Sequence, residues 1–266
     1  MAEWQVRDHQ EFTFDGVAEV HVSLIGGDLE MTAGTGPARL EVRVLAGEPV
    51  RVRHDNGDLE VEQRRRRIGG RGRAEMEHRA MVRLVVPAEV TASIRTVTAG
   101  VLVAGIAGRV DIQGVTGEVL LERLAGDLRA RTVSGGVEAS GVGGRVTVNT
   151  VSGDVTLSDA TSASIEVRSL SGDVIIDCAT APADRAMVNT MSGEVVLRVP
   201  SDLDAAVRLH SLTGKITSGF RLGSAADRSG LLRHEISGRT GAGGGDDARI
   251  DLQTLSGRIA LVAGAA

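Results

Sequence analysis

The sequence predicts an all-β chain: a β-solenoid or β-helix-like stack of short two-strand repeats behind an N-terminal β-strand cap. Three observations predict it. Glycines 108, 117, 126, 135, 144 and 153 each follow the last by nine residues. Most are followed by a short stretch in which apolar residues alternate with others, the mark of a strand with one buried face. The composition agrees, with 35 glycines for tight turns, only 5 prolines, and aromatics at 2%. Val, Ile, Leu and Ala must fill the core, and small side chains suit a thin space between two close sheets.

The first ninety residues alternate at Phe12-Thr13-Phe14, Val20-His21-Val22, Leu29-Glu30-Met31, Leu40-Glu41-Val42-Arg43-Val44 and Leu59-Glu60-Val61. Gly26-Gly27, Gly34-Thr35-Gly36-Pro37 and Asn56-Gly57 separate these runs and read as tight turns. Residues 1–80 are therefore expected to form an antiparallel β cap over one end of the stack, because an uncovered end invites edge pairing. Met81–Pro87 is the strand that leads into the repeats.

Residues 81–263 read as the repeat domain. One nine-residue unit reads Gly-Arg-Val, at Gly108-Arg109-Val110 and Gly144-Arg145-Val146. The other joins Ser or Thr, Gly and an acid, as in Thr150-Val151-Ser152-Gly153-Asp154-Val155 and Ser169-Leu170-Ser171-Gly172-Asp173-Val174. It recurs at Thr190–Val195, Ser211–Ile216 and Thr254–Ile259. The two alternate, so the period is 18 to 21 residues with two strands in each. A unit this short cannot bury its apolar face alone, and stacked neighbours bury it together. Residues 218–248, ending in Gly241–Asp247, read as an irregular loop at the far end. The last coil stops at Leu261-Val262 and is expected to be a free end open to self-association.

The order of parts resembles the bacterial putative-adhesin family with β-strand repeats, the Toastrack-type domain. The residues that carry it are Val86-Pro87, the ladder of Ser-Gly-Asp-Val units, the glycine-rich break and the closing Ile250-Asp251-Leu252-Gln253-Thr254-Leu255-Ser256-Gly257. The likeness covers residues 80–263 best. It implies a β-solenoid-like fold and carries over no catalytic residues.

Composition narrows the chemistry. The formal net charge is −5, Lys215 is the only lysine, and a single cysteine, Cys178, excludes an internal disulfide framework or a cysteine zinc site. The chain starts without an apolar leader and has no run of 18 apolar residues, so a soluble cytoplasmic protein is expected. Asp127, Asp154, Asp173 and Glu194 are expected to stack near one edge, where carboxylates could hold Ca²⁺. Gly136, Lys215 and Arg258 take that place in other coils, which favours turn-stabilising acids on a solvated edge. Arg64–Arg67 with Arg71 and Arg73 could grip the phosphates of nucleic acid or anionic lipid, but no aromatic interleaves. Ser134, Ser152, Ser171, Ser192 and Ser256 belong to the repeat and read as corner residues bonding backbone. The histidines His9, His21, His54, His78, His210 and His234 lack metal-ligand spacing, and Cys178 reads as buried.

No catalytic residue, metal or cofactor is assigned. The expected function is a non-enzymatic structural or protein-interaction scaffold of putative-adhesin type, whose partner is an unknown protein or a second copy. The alternative is a module for Ca²⁺, nucleic acid or anionic lipid, using the Arg64–Arg73 loop or the stacked acids. A third reading, a carbohydrate-active solenoid, suffers from the near absence of aromatics.

Overall fold

The computed structural model describes residues 2–63, 78–182, 184–227, 234–241 and 248–264. All regular structure among them is β, and the chain divides into two compact units, Met1–Gly126 and Asp127–Ala266.

The first unit contains β1 (Ala2–Val6), β2 (His9–Phe14), β3 (Glu19–Ala33), β4 (Ala38–Ala46), β5 (Val50–Asp55), β6 (Asp58–Gln63), β7 (Arg79–Val86), β8 (Thr91–Ala104), β9 (Val110–Gly114) and β10 (Val119–Leu124). They form two ladders. One runs β1–β5–β6–β3–β8–β9 through the first halves of β3 and β8. The other runs β2–β4–β7–β3–β8–β10 through their second halves. A coil is thus strand, corner, strand. Along β3, Val20, Val22 and Leu24 and then Leu29 and Met31 are buried, as alternation requires.

Gly26-Gly27 is not the turn that the sequence suggests, because β3 runs straight through it. At this corner the strand passes against the backbone of His78 and Ala80, where a Cβ on either glycine would collide with their carbonyls. Gly27 also has a φ of 113°. Asn56-Gly57, with φ of 50° and 87°, does close the β5–β6 hairpin. The edge strands β1 and β2 meet through aromatic rings. Trp4 lies 5.2 Å from Phe12 and 5.6 Å from Phe14, and Phe14 lies 4.9 Å from His54. Three of the chain's four Trp and Phe residues thus lie together on the edge strands of the first unit.

The second unit contains β11 (Leu128–Arg131), β12 (Val137–Val142), β13 (Arg145–Thr150), β14 (Val155–Ala160), β15 (Ser164–Ser171), β16 (Val174–Cys178), β17 (Arg185–Ser192), β18 (Val195–Val199), β19 (Ala206–Ser211), β20 (Ile216–Ser218), β21 (Gly223–Asp227), β22 (His234–Arg239), β23 (Arg249–Ser256) and β24 (Ile259–Ala263). Parallel pairing links β11–β13–β15–β17–β23–β19 in one ladder and β12–β14–β16–β18–β24–β20 in the other. Leu128 faces Val146, Val146 faces Ile165 and Ile165 faces Ala186, so the period lengthens from 18 to 19 to 21 residues as expected.

Two expectations are corrected here. The last coil in sequence is not a free end: β23 lies between β17 and β19, and β24 between β18 and β20. Its inward residues Ile250, Leu252, Ile259 and Leu261 are all buried. Each such side chain contributes about 1.5–3 kcal/mol relative to exposure. The stretch 218–248 is not wholly irregular either, since β22 pairs antiparallel with β19 and β21 pairs with β22. That pairing covers the outer backbone groups of β19, which would otherwise be an open edge.

Candidate functional site

The Thr-x-Ser-Gly-acid turn joins the two ladders in each coil of the second unit, and every residue in it has one job. The first hydroxyl residue points inward, and Thr132, Thr150, Ser169, Thr190, Thr254 and Ser211 are all buried. In Thr132, Thr150, Thr190 and Ser211 its oxygen bonds backbone within the turn, whereas Ser169 Oγ and Thr254 Oγ1 are buried without a partner among the described residues. The Gly153 N–H donates to Thr150 Oγ1 (3.0 Å), and the Gly214 N–H donates to Ser211 Oγ (2.8 Å). The third residue ties the coil to its neighbour. Ser152 donates both its N–H (2.8 Å) and its Oγ–H (3.3 Å) to the Val133 carbonyl, and Ser171 does the same to Val151 (2.8 and 3.5 Å). The glycines lie directly against one another. A Cβ on Gly172 would strike the Gly153 carbonyl, on Gly193 that of Gly172, on Gly257 that of Gly193, and on Gly214 that of Gly257.

The acids complete the turn. The Asp173 N–H donates to Asp154 Oδ1 and the Glu194 N–H to Asp173 Oδ1, both at 2.8 Å. A second set of bonds fixes the spatial order. The N–H groups of Val137, Val155, Val174, Val195 and Ile259 donate to the carbonyls of Asp154, Asp173, Glu194, Arg258 and Lys215 in turn. Along this corner the order is therefore Gly136, Asp154, Asp173, Glu194, Arg258, Lys215. Asp127 does not share the edge, contrary to expectation. It precedes β11 at the start of the other ladder, where its carboxylate accepts the Arg145 N–H (2.9 Å).

The residue between the two hydroxyl residues has no such bond to make with its side chain. It is apolar in every copy and turns outward: Val133, Val151, Leu170, Met191 and Leu255 are between 43% and 50% exposed. Leu212 occupies the same place and is half-buried. The six follow the coil order, so they make a single column of apolar side chains, one per strand spacing of roughly 4.8 Å. The motif contains these residues, but Val, Leu and Met at one place resemble core, so residue type alone does not give their outward direction. The signal was available: in a period-two strand, the neighbour of an inward hydroxyl must face out.

The other sequence candidates are placed as follows. The Arg64–Arg73 run lies outside the described residues. Among the described residues no cluster of three or more His, Cys, Asp and Glu could hold a metal ion. His9 lies 3.2 Å from Glu41, and His21 lies 3.5 Å from Asp58. His210 stands in register with Gln253, which itself faces Asn189, so it is a repeat position. Cys178 is buried, and that burial, with the neighbouring Asp177 charge second, pushes its thiol up to about 12. In the first unit Phe12 borders a groove of about 340 Å³ with Glu11, Arg39, Glu41 and Arg83. Its Glu41 is engaged by His9 and by Arg43 at 3.4 Å.

The family described as Toastrack DUF4097 matches residues 13–262. No functionally curated protein matches the chain. Among solved structures, the chain is similar to a putative adhesin from Parabacteroides distasonis, at 11% identity, a TM-score of 0.52 and 96% coverage of both chains. It is also similar, at TM-scores of 0.45 and 0.47, to a putative adhesin from Bacteroides fragilis and a putative lipid binding protein from Parabacteroides distasonis. These share 12% and 13% identity, again with 96% of each chain covered.

Proposed function

The chain belongs to the Toastrack DUF4097 family, and on that premise we propose that it is a non-enzymatic protein-interaction module. The observation that carries the reading is the apolar column Val133, Val151, Leu170, Met191, Leu255, Leu212. Contiguous apolar surface edged by polar groups is the usual character of a protein contact, whereas single exposed aliphatics need no explanation. The polar groups of the same turn support it from the other side. The hydroxyls of Thr150, Ser152, Ser171 and Ser211 and the carboxylates of Asp154 and Asp173 are engaged with backbone N–H and C=O groups, and the Glu194 carboxylate with Arg258. The name adhesin, borne by the solved relative, agrees with this reading.

Placing a photo-cross-linking amino acid at position 170, in the native cell, tests the proposal. Adducts to protein are expected from Leu170 and absent from Thr156, which faces out from β14 away from the column. Equal labelling from both positions, or none from either, would contradict an interaction role for the column.

A further inference from the structure

We infer that the column is a self-recognition surface, through which two copies of this chain pair antiparallel about a twofold axis at Met191. This pairing rests on the interaction reading of the same column and names its partner.

The charge beside the column selects a second copy. Three residues beyond each apolar side chain stands the acid position, which in spatial order reads Asp154, Asp173, Glu194, Arg258, Lys215. One end of this flank is acidic and the other basic. A second copy turned end for end lays its basic end on the acidic end of the first. In an isologous contact each residue meets its counterpart twice, so one complementary pair is always two. With the axis at Met191, Leu170 meets Leu255 of the second copy and Val151 meets its Leu212. The same register sets Asp173 against Arg258 of the second copy and Asp154 against its Lys215. Glu194 meets its own image on the axis, and its charge is already balanced by Arg258 of its own chain at 3.5 Å. A shift of half a coil toward Asp154 would instead set Asp173 against Glu194 in both copies, a like-charge contact that costs several kcal/mol, whereas a shift toward Lys215 would pair Glu194 with Arg258 and Asp173 with Lys215. Charge therefore sets the antiparallel orientation, and Met191 facing its own image sets the axis.

Leu170, Met191 and Leu255 stand at and beside the axis, with Leu212 at one end of the column and Val133 and Val151 at the other. Met at the axis can adapt to its own image because its side chain is unbranched and polarizable. A contact confined to one column and its flanking turns falls among the small, weak interfaces, below about 1,200 Å² in all. A weak, reversible dimer follows, with electrostatics setting orientation more than affinity.

Sedimentation equilibrium of the purified full chain tests this at about 100 µM, a concentration that populates complexes with micromolar Kd. The native protein is expected to dimerise and to weaken as salt is raised. Met191→Glu should raise Kd by about tenfold or more, because it places two charges together on the axis. Ile175→Glu removes an equally exposed apolar residue outside the column, 46% exposed, and should leave Kd unchanged. Arg258→Glu with Lys215→Glu makes the whole flank acidic and should weaken pairing and reverse its salt dependence, so that salt now favours the dimer. Unchanged thermal unfolding of these surface variants checks that each remains folded. A native monomer at this concentration, or equal loss from Met191→Glu and Ile175→Glu, overturns the inference. An unaffected Arg258→Glu/Lys215→Glu dimer overturns the antiparallel arrangement. A native monomer whose position 170 still cross-links to another protein rejects self-pairing while the interaction role stands. Absence of both rejects the two together.

Discussion

Thr150 Oγ1 accepts the N–H of Gly153 at 3.0 Å, and both residues are buried. Thr150→Val keeps the volume and removes the acceptor, leaving a buried N–H unpaired at a cost of about 1–3 kcal/mol. Urea unfolding should show a lower midpoint with an unchanged slope. The same scale governs Cys178, whose thiol burial holds at about 12 against an ordinary value near 9. Between those two pH values the unfolded chain releases the proton and the native chain keeps it. Stability is therefore whole below about pH 9 and falls as pH rises toward 12. Tyr is absent and Lys215 is the only lysine, so few other side chains titrate in that window. Urea midpoints at about pH 7 and about pH 10.5 should separate the native protein from Cys178→Ala, which lacks this decline. At this scale the sequence was readable where a side chain's task is local. Ser152 and Ser171 bond backbone, and Cys178 is buried, as their places in the repeat imply. The carboxylate bonds that tie Asp154 to Asp173 and Asp173 to Glu194 were not foreseen, because they reach into the next coil.

Strands declare themselves by alternation, and nearly every run marked by it is a strand: Leu40–Val44 lies in β4, Leu59–Val61 in β6 and Val155–Leu157 in β14. Gly26-Gly27 failed as a turn signal because a close backbone neighbour requires glycine as firmly as a reversal does. Coil order was the larger miss. Parallel coils of one motif present the same hydroxyl, glycine and apolar positions, so nothing local says which copy sits next to which. Gly257 fits against Gly193, and Gly214 against Gly257, and that places the last coil inside the ladder. Engineered cysteine pairs read this order directly. Neighbouring strands lie about 4.8 Å apart, within disulfide reach, whereas alternate strands do not. Asn189→Cys with Gln253→Cys, and Gln253→Cys with His210→Cys, should oxidise to intrachain disulfides. Asn189→Cys with His210→Cys should not, and its ready closure would mean that the coils stack in sequence order.

For the chain as a whole, fold class and repeat period were legible, and the proposed contact surface was only half so. Which residues form that surface depended on direction, and the charge gradient beside it depended on coil order. The account's central claim is that two copies meet along the apolar column with Met191 on the axis. Met191→Cys, Val133→Cys and Leu212→Cys, each made singly and oxidised under mild conditions, test it most directly, with the buried and protonated Cys178 left in place. The account predicts rapid interchain disulfide formation at position 191 and little at 133 or 212. Equal rates at all three, or none at 191, would contradict it.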